Sequence, residues 1–459
     1  MSLWTSDEIA AATGGTASAP FSVDGVTFDS REVGSGDLFL AMSGEATDGH
    51  RFLPQAFARG AAGAIVSEPC EGPHVRVADG FAALQDLGRA ARARTAAKVI
   101  GVTGSVGKTS AKEALFAALD RSLPVSGPGE VHRSLKSYNN HTGVPLSLAR
   151  MPRETQAGVF EMGMNHAGEL AALTRMVRPH VALVTAIAPA HTEFFADESA
   201  IADAKGEIFQ GLEPGGVAIV PHDSQHRERL IAAAKPHAER IVTFGSDPHA
   251  DVRAVEAMRL ATGGSFVTAR VGTSELSFTL SQPGAHWVSN ALAVLAAVDA
   301  VGADLGLAGL ALAELGGLAG RGARFLAPVP GGDVLVIDES YNANPASMRA
   351  TLAVLGQEPG RHVAVLGEMR ELGAASADYH AALAEPIEAA RVGVALLVGE
   401  AMAPLVEALE GKVEFVHVPD AATALSSLRA MLTPGDAVLI KGSNGVGLAR
   451  VVAGLGGKS

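Results

Sequence analysis

From Lys98 to Thr103 the chain reads Lys-Val-Ile-Gly-Val-Thr, a short apolar run that passes directly into a glycine turn. Similar runs recur at Ala157–Phe160, Val181–Val184 and Val217–Val220, with helix-like segments between them. Strands alternating with helices predict a parallel α/β sheet. A helix over Ser289–Val301 closes this stretch, followed by Ala/Leu/Gly-rich sequence to about Gly320. The alternation returns from about Arg321, with strands expected at Val334–Ile337, His362–Leu366, Ala395–Val398, Val413–Val416 and Ala437–Ile440. One intervening helix starts at Asn344-Pro345, with Asn as cap and Pro at the first helical position. Its apolar face is Met348, Leu352 and Leu355, spaced i, i+4, i+7. This last block reads as a small doubly wound domain. Ahead of both, residues 1–94 mix strand-like runs (Gly36–Ala41, Gly63–Val66) with Ala-rich helical stretches. The run Arg89-Ala-Ala-Arg-Ala-Arg94 reads as a solvated helix end leading into the next block. The expected fold class is therefore α/β in three domains, with boundaries at 1–94, 95–320 and 321–459.

Composition narrows the function. Hydrophobic residues make up 47% and aromatics only 5%, so the cores are built mostly from Ala, Val and Leu. The 53 glycines are spread through an apolar sequence, which indicates tight turns and phosphate-type loops rather than disorder. With 36 Lys and Arg against 49 Asp and Glu, the net charge is −13. That argues against nucleic acid as the main partner, because phosphate backbones reward a basic surface. A small phosphorylated ligand needs only a local nest of N–H groups and one or two cations. Cys70 is the single cysteine, too few for an intramolecular disulfide or a thiolate metal cluster. Residues 1–12 carry acidic groups and no apolar signal-like run, and no stretch of ~20 uninterrupted apolar residues appears. The expectation is a soluble cytoplasmic protein without membrane insertion, and a monomer.

The strongest motif is Thr103-Gly-Ser-Val-Gly-Lys-Thr-Ser110, after a strand and before the helix-like Ala111–Leu119. A glycine loop there turns backbone N–H groups toward an anion at a helix N-terminus. Gly104, Ser105, Val106, Gly107 and Ser110 would form the cradle, Lys108 would reach the outer phosphates, and the Thr109 hydroxyl would ligate Mg²⁺. Val102 stands where the strict phosphate-loop pattern has its first glycine. An ordinary glycine turn would share some of these letters, but the flanking strand and helix favour the phosphate reading. Glu161 ends a strand, where ligands bind in open α/β sheets, and a carboxylate there could hold Mg²⁺ or simply be solvated. By type and spacing alone, His191 reads as structural and Lys205 as a solvated helix cation. Lys441-Gly-Ser-Asn-Gly-Val-Gly447 reads as an anion loop or a close-packed turn.

Together these motifs resemble the Mur ligase family over essentially the whole chain. The resemblance runs through Thr103–Thr109, Asn139-Asn140-His-Thr-Gly-Val-Pro-Leu146, Glu161-Met-Gly163, His191 and Ala204-Lys-Gly-Glu-Ile-Phe209. It continues in Pro283-Gly-Ala-His-Trp-Val-Ser-Asn290, Glu339-Ser-Tyr-Asn-Ala-Asn-Pro-Ala-Ser-Met348, Gly367-Glu-Met-Arg-Glu-Leu-Gly373 and Lys441–Gly445. In the first block it rests on Asp29-Ser-Arg31, Gly36–Ala41 and Asp48-Gly-His50. It implies a small mixed α/β N-terminal domain, a central P-loop ATPase domain and a C-terminal Rossmann-like domain. It implies an ATP-dependent amide ligase, and the Glu339–Met348 stretch points to the member joining D-alanyl-D-alanine to UDP-N-acetylmuramoyl-tripeptide through an acyl phosphate.

The resemblance also implies roles. Two Mg²⁺ ions would use Thr109, Glu161, His191 and a carbamoylated Lys205. Asn290 would contact adenine and Arg324 the ATP phosphates. Ser30 and Arg31 would hold the uridine diphosphate end, and Asn139, Asn140, Asn342 and Asn344 would line the substrate site. Three positions depart from the family pattern: Trp287 for Asn, His141 for Glu, and Glu368 for Asp. The nearest alternative is a sister ligase adding another amino acid, although the Asp-Asn-Pro-Arg of the diaminopimelate-adding member is absent. A P-loop NTPase switch is the alternative from a different class.

Overall fold

In the computed structural model, the described residues are 2–44, 47–123, 130–190, 192–261 and 263–457. They form three larger sheets and one short two-stranded one. The central sheet has nine strands. Lys98–Thr103 lies between Val181–Val184 and Ala157–Glu161 and pairs parallel to both. Beyond Ala157–Glu161 comes Val131–Arg133, and beyond Val181–Val184 come Val217–Pro221 and Arg240–Gly245, all parallel. The order therefore reverses around Lys98–Thr103, which opens a crevice at its carboxyl end.

The expectation of a wholly parallel sheet fails at one edge. Val252–Arg259, Ser265–Val271 and Ser274–Leu280 add an antiparallel meander. The first of these strands is exposed over most of its length, so it carries no continuous apolar run of the kind that marks a buried strand. The helix predicted at Ser289 begins earlier, at Ala285, and a second helix, Leu305–Glu314, follows it. Helix Ala285–Val301 is apolar on nearly all sides because it packs in the core on one face of the sheet.

The C-terminal sheet orders its strands Ala323–Val329, Gly332–Glu339, Ala437–Lys441, His362–Gly367, Val392–Val398 and Glu414–Val418. Its first pair is an antiparallel hairpin and the rest is parallel. All five predicted strands are present, some with longer ends. Helix Pro345–Leu355 starts where expected: the Asn344 side chain accepts from Ser347 N in a capping box. Met348, Leu352 and Leu355 are wholly buried beneath it.

In the first block, Gly25–Thr27, Asp37–Leu40, Gly63–Val66 and His74–Arg76 pair parallel, with Thr16–Ala17 antiparallel at the edge. Helix Gly80–Ala93 packs this block against helix Gly143–Ala149 of the central unit. The Trp4 indole donates to Ala149 O at 2.8 Å, and the Arg94 guanidinium stacks over its ring. Arg89 is exposed as expected, but Arg92 and Arg94 are not solvated. Arg92 is 4% exposed and donates to Val177 O at 2.8 Å and Arg178 O at 2.7 Å. A guanidinium placed there satisfies carbonyls left open at the end of helix Glu169–Val177.

Replacing Leu352 with alanine is expected to lower stability by about 2–5 kcal/mol, because a fully buried branched side chain is lost from a closed core. Denaturant unfolding followed by circular dichroism would read it as a lower midpoint at an unchanged slope.

Candidate active site

The loop after Lys98–Thr103 sits in the crevice at the strand-order reversal. Register sets Glu161 beside Val102 and Val184 beside Thr103, so three strand ends meet there. Val102 is fully buried within the strand, which is why no glycine is needed at that position. Two glycines are required. Gly104 has φ +150°, and a Cβ there would overlap the Thr185 hydroxyl; Gly107 has φ +84°, and a Cβ would lie 2.7 Å from Asn290 Oδ1. Helix Lys108–Ser122 starts directly after Gly107, so its first N–H groups point into the crevice.

Lys108 Nζ donates to Gly104 O at 2.6 Å, folding its side chain over the loop. Burial pushes its pKa down, the Glu161 charge opposes that, and Arg321 adds to it. Glu161 is 1% exposed and accepts from Thr109 Oγ1 at 2.8 Å and from Asn139 Nδ2 at 2.7 Å. A buried carboxylate with two good donors is held in one orientation. Lys205, on helix Glu198–Gly206, is also 1% exposed, and its Nζ has no hydrogen-bond partner among the described residues. Burial first, and the Lys108 charge second, drive its pKa well below the ordinary lysine value. Burial and this downward shift set the amine apart from a solvated helix cation. His191 lies outside the described residues.

A cavity of about 370 Å³ faces the loop. Its central-sheet wall includes Ser105–Ser110, Asn139, Glu161 and Asn290, and its far wall Arg321, Glu339, Tyr341, Asn342, Asn344 and Lys441. The structure thus gathers most of the expected residues. Trp287 is 6% exposed and also borders the cavity. Asn344 is occupied as a helix cap. Asn140 Oδ1 accepts from Gly143 N at 2.8 Å, and the residue borders a neighbouring groove instead.

Arg324 is placed differently from expectation. It donates to Glu358 Oε2 at 2.6 Å, Arg259 binds the same carboxylate at 2.8 Å, and Arg324 does not border the central cavity. Arg321, three residues earlier, does. Ser30 donates to Gln55 Oε1 at 3.0 Å, and Arg31 pairs with Asp29, holding that carboxyl down at about 2. Neither borders the central cavity.

Sequence reasoning also passed over Glu339 and Lys441 as site residues. They face each other in register at the ends of parallel strands, with Lys441 Nζ 3.7 Å from Glu339 Oε2 and donating to Asn342 O at 2.9 Å. Burial raises Glu339 and lowers Lys441. The available signal was position: both lie one or two residues beyond a predicted strand and close the observed one, as Glu161 does.

Three family models match the chain: Mur ligase family, catalytic domain, over residues 22–130; Mur ligase middle domain over 102–298; and Mur ligase, glutamate ligase domain, over 325–444. The UDP-N-acetylmuramoyl-tripeptide–D-alanyl-D-alanine ligase of Escherichia coli is 34% identical over 443 residues, covering 95% of this chain and 94% of its own. The chain belongs to the Mur ligase family. The Bacillus subtilis Mur ligase of the same name is 31% identical, covering 94% of this chain and 93% of its own. Among solved structures, MurF from Acinetobacter baumannii superposes with a TM-score of 0.85 at 33% identity, covering 98% of each chain. The Thermotoga maritima MurF ligase in complex with ADP superposes with a TM-score of 0.77 at 26% identity, covering 94% of this chain and 96% of its own.

Lys205→Met is expected to stabilise the metal-free Mur ligase in bicarbonate-free buffer by about 1–3 kcal/mol, since it removes a buried amine with no hydrogen-bond partner among the described residues. Folding lowers this amine's pKa, so the unfolded chain holds the proton more tightly and wild-type stability falls as pH drops below the ordinary lysine range. The variant loses that slope in thermal unfolding read across alkaline pH.

Proposed function

We propose that this Mur ligase joins D-alanyl-D-alanine to UDP-N-acetylmuramoyl-tripeptide, consuming ATP and passing through an acyl phosphate. The observation that carries the reading is the phosphate loop facing Glu161 and the Glu339–Lys441 pair across one cavity, in a chain about a third identical to ligases of that name. ATP phosphates fit the nest of residues 104–110, with Asn290 behind the loop toward the adenine. The tripeptide carboxylate attacks the γ-phosphate, and the dipeptide amine then displaces phosphate. Both early reactants are anionic, so Lys108 and Arg321 offset their repulsion. Arg321 takes the phosphate role in place of Arg324, which is committed to Glu358.

The donor set fits Mg²⁺. Thr109 and Glu161 would hold one ion, and Glu161, His191 and a carbamate on Lys205 a second. Bound there, the metal would supply charge neutralisation at the transferring phosphoryl group. A buried Lys205 amine, without a hydrogen-bond partner among the described residues and shifted toward its neutral form, suits carbamoylation by CO₂. Asn342 stands on the C-terminal wall toward the incoming dipeptide, while Asn344 supports it as a helix cap.

A groove of about 470 Å³ shares Asn139, Gly163, Met164 and Asn165 with the central cavity and continues past Asn140 and His141 to Gln85, Arg89 and Glu169. We assign it to the peptide arm, leading from a uridine diphosphate end near Ser30 and Arg31. Residues 1–94, 95–320 and 321–459 then act as the UDP-substrate domain, the ATP domain and the closing domain. No helix among the described residues is long and apolar enough to cross a membrane. The substrates are small molecules, and a cytoplasmic monomer is the working form.

Phosphate release should require ATP, Mg²⁺, the UDP-tripeptide and D-alanyl-D-alanine together. Release with another amino acid in place of the dipeptide would move the assignment to a sister ligase, and release indifferent to both acceptors would point to an NTPase switch. Arg321→Ala should weaken a fluorescent ATP analogue by about tenfold or more, the value of one charge-assisted contact, while Arg324→Ala stays within about threefold. With ¹³C-bicarbonate, wild-type protein should show a carbamate carbon signal by NMR that Lys205→Ala lacks.

A further inference from the structure

The segment Ser134–Asn139 touches all three blocks of the chain, and it is held by a side chain that the proposed reaction does not use. Lys112, in helix Lys108–Ser122, is fully buried. Its Nζ donates to Ser134 O at 2.8 Å and Lys136 O at 2.7 Å, and pairs with Glu113 Oε1 at 2.9 Å. An ammonium has three protons, so three acceptors saturate it and leave nothing for a ligand. A buried cation is costly to desolvate, and an apolar side chain of the same volume would stabilise a core at least as well. What the ammonium does is fix two carbonyls of an irregular segment, one belonging to Lys136 at φ +51°.

Ser134 is also held by the sheet, its N–H donating to Val159 O and its hydroxyl accepting from Glu161 N, and from there the segment reaches outward. Lys136 Nζ and Tyr138 OH both meet Glu32 of the first block. Ser137 Oγ accepts from Arg321 at 3.4 Å, on the C-terminal side of the cavity. Asn139 donates to Glu161 at 2.7 Å, and its carbonyl accepts from Gly163 N at 2.7 Å. The phosphate loop opens the same helix that carries Lys112.

We propose that Lys112 is a positioning residue, whose ammonium ties the phosphate-loop helix to the Ser134–Asn139 segment and so seats Asn139 on Glu161 and links the UDP-substrate block to the ATP site. The proposal rests on the ligase reading. Lys112→Met keeps the volume and removes the donors. It is expected to lower kcat by about tenfold or more and raise KM for the UDP-tripeptide by about fivefold, while KM for ATP stays within about twofold because the loop backbone is untouched. Asn139→Ala should lower kcat similarly, and the double variant no further than the worse single one, since both act on Glu161 through one segment. If Lys112→Met does not fold, Lys112→Gln, which retains N–H donors, is measured instead and should show a smaller change of the same kind. A variant with a lower Tm but wild-type kcat and KM per folded molecule, or strictly additive losses, would overturn the proposal. Failure of the ligase reading would be visible in the unaltered chain, which would then form no amide product.

Discussion

The carboxylate of Glu161 is the point on which the rest of the site depends. A charge removed from water survives only if its lone pairs are filled, and here Thr109 and Asn139 fill them from opposite sides. Thr109 belongs to the phosphate-loop helix and Asn139 to an irregular segment, so satisfying one buried anion forces two separate stretches of chain into contact. Parallel pairing with Lys98–Thr103 fixes the height of Glu161 at the sheet edge. The crevice therefore has its shape before any ligand enters.

Other groups in the same region are left in unfavourable states. Lys205 has a buried amine with no partner among the described residues, and Glu339, partly buried, pairs with buried Lys441, desolvation pulling each toward its neutral form. Groups held in unfavourable states cluster where chemistry is done. The ligase reading accounts for each of them. Arg92 shows the contrast: its guanidinium is spent on helix carbonyls, and it serves the fold.

Much of the architecture was legible in the chain because short apolar runs bounded by glycine have one stable use, as buried parallel strands. The Asn344-Pro345 cap and the face of Met348, Leu352 and Leu355 appear as predicted, since capping and helical periodicity are local properties. The antiparallel edge of the central sheet was not legible. Val252–Arg259 is largely exposed, so neither apolar continuity nor clean alternation marks it. Arg89–Arg94 misled for a related reason, because a charged run resembles a solvated face until another helix presents open carbonyls to it.

By itself the sequence determined the strand–turn–helix of the phosphate loop, the alternation that builds the parallel sheets and the family resemblance that suggested a ligase, all carried by residues adjacent in the chain. Tertiary structure alone decided which of two arginines three residues apart faces the cavity, that Glu339 meets Lys441, that Lys205 is buried without a partner among the described residues, and that Lys112 holds a segment reaching all three blocks. Those facts depend on interactions between residues distant in the chain, such as Glu339 with Lys441, Lys205 with Lys108 and Arg321 with Ser137. Desolvation and pairing are properties of the folded environment, and no residue type or spacing encodes them locally.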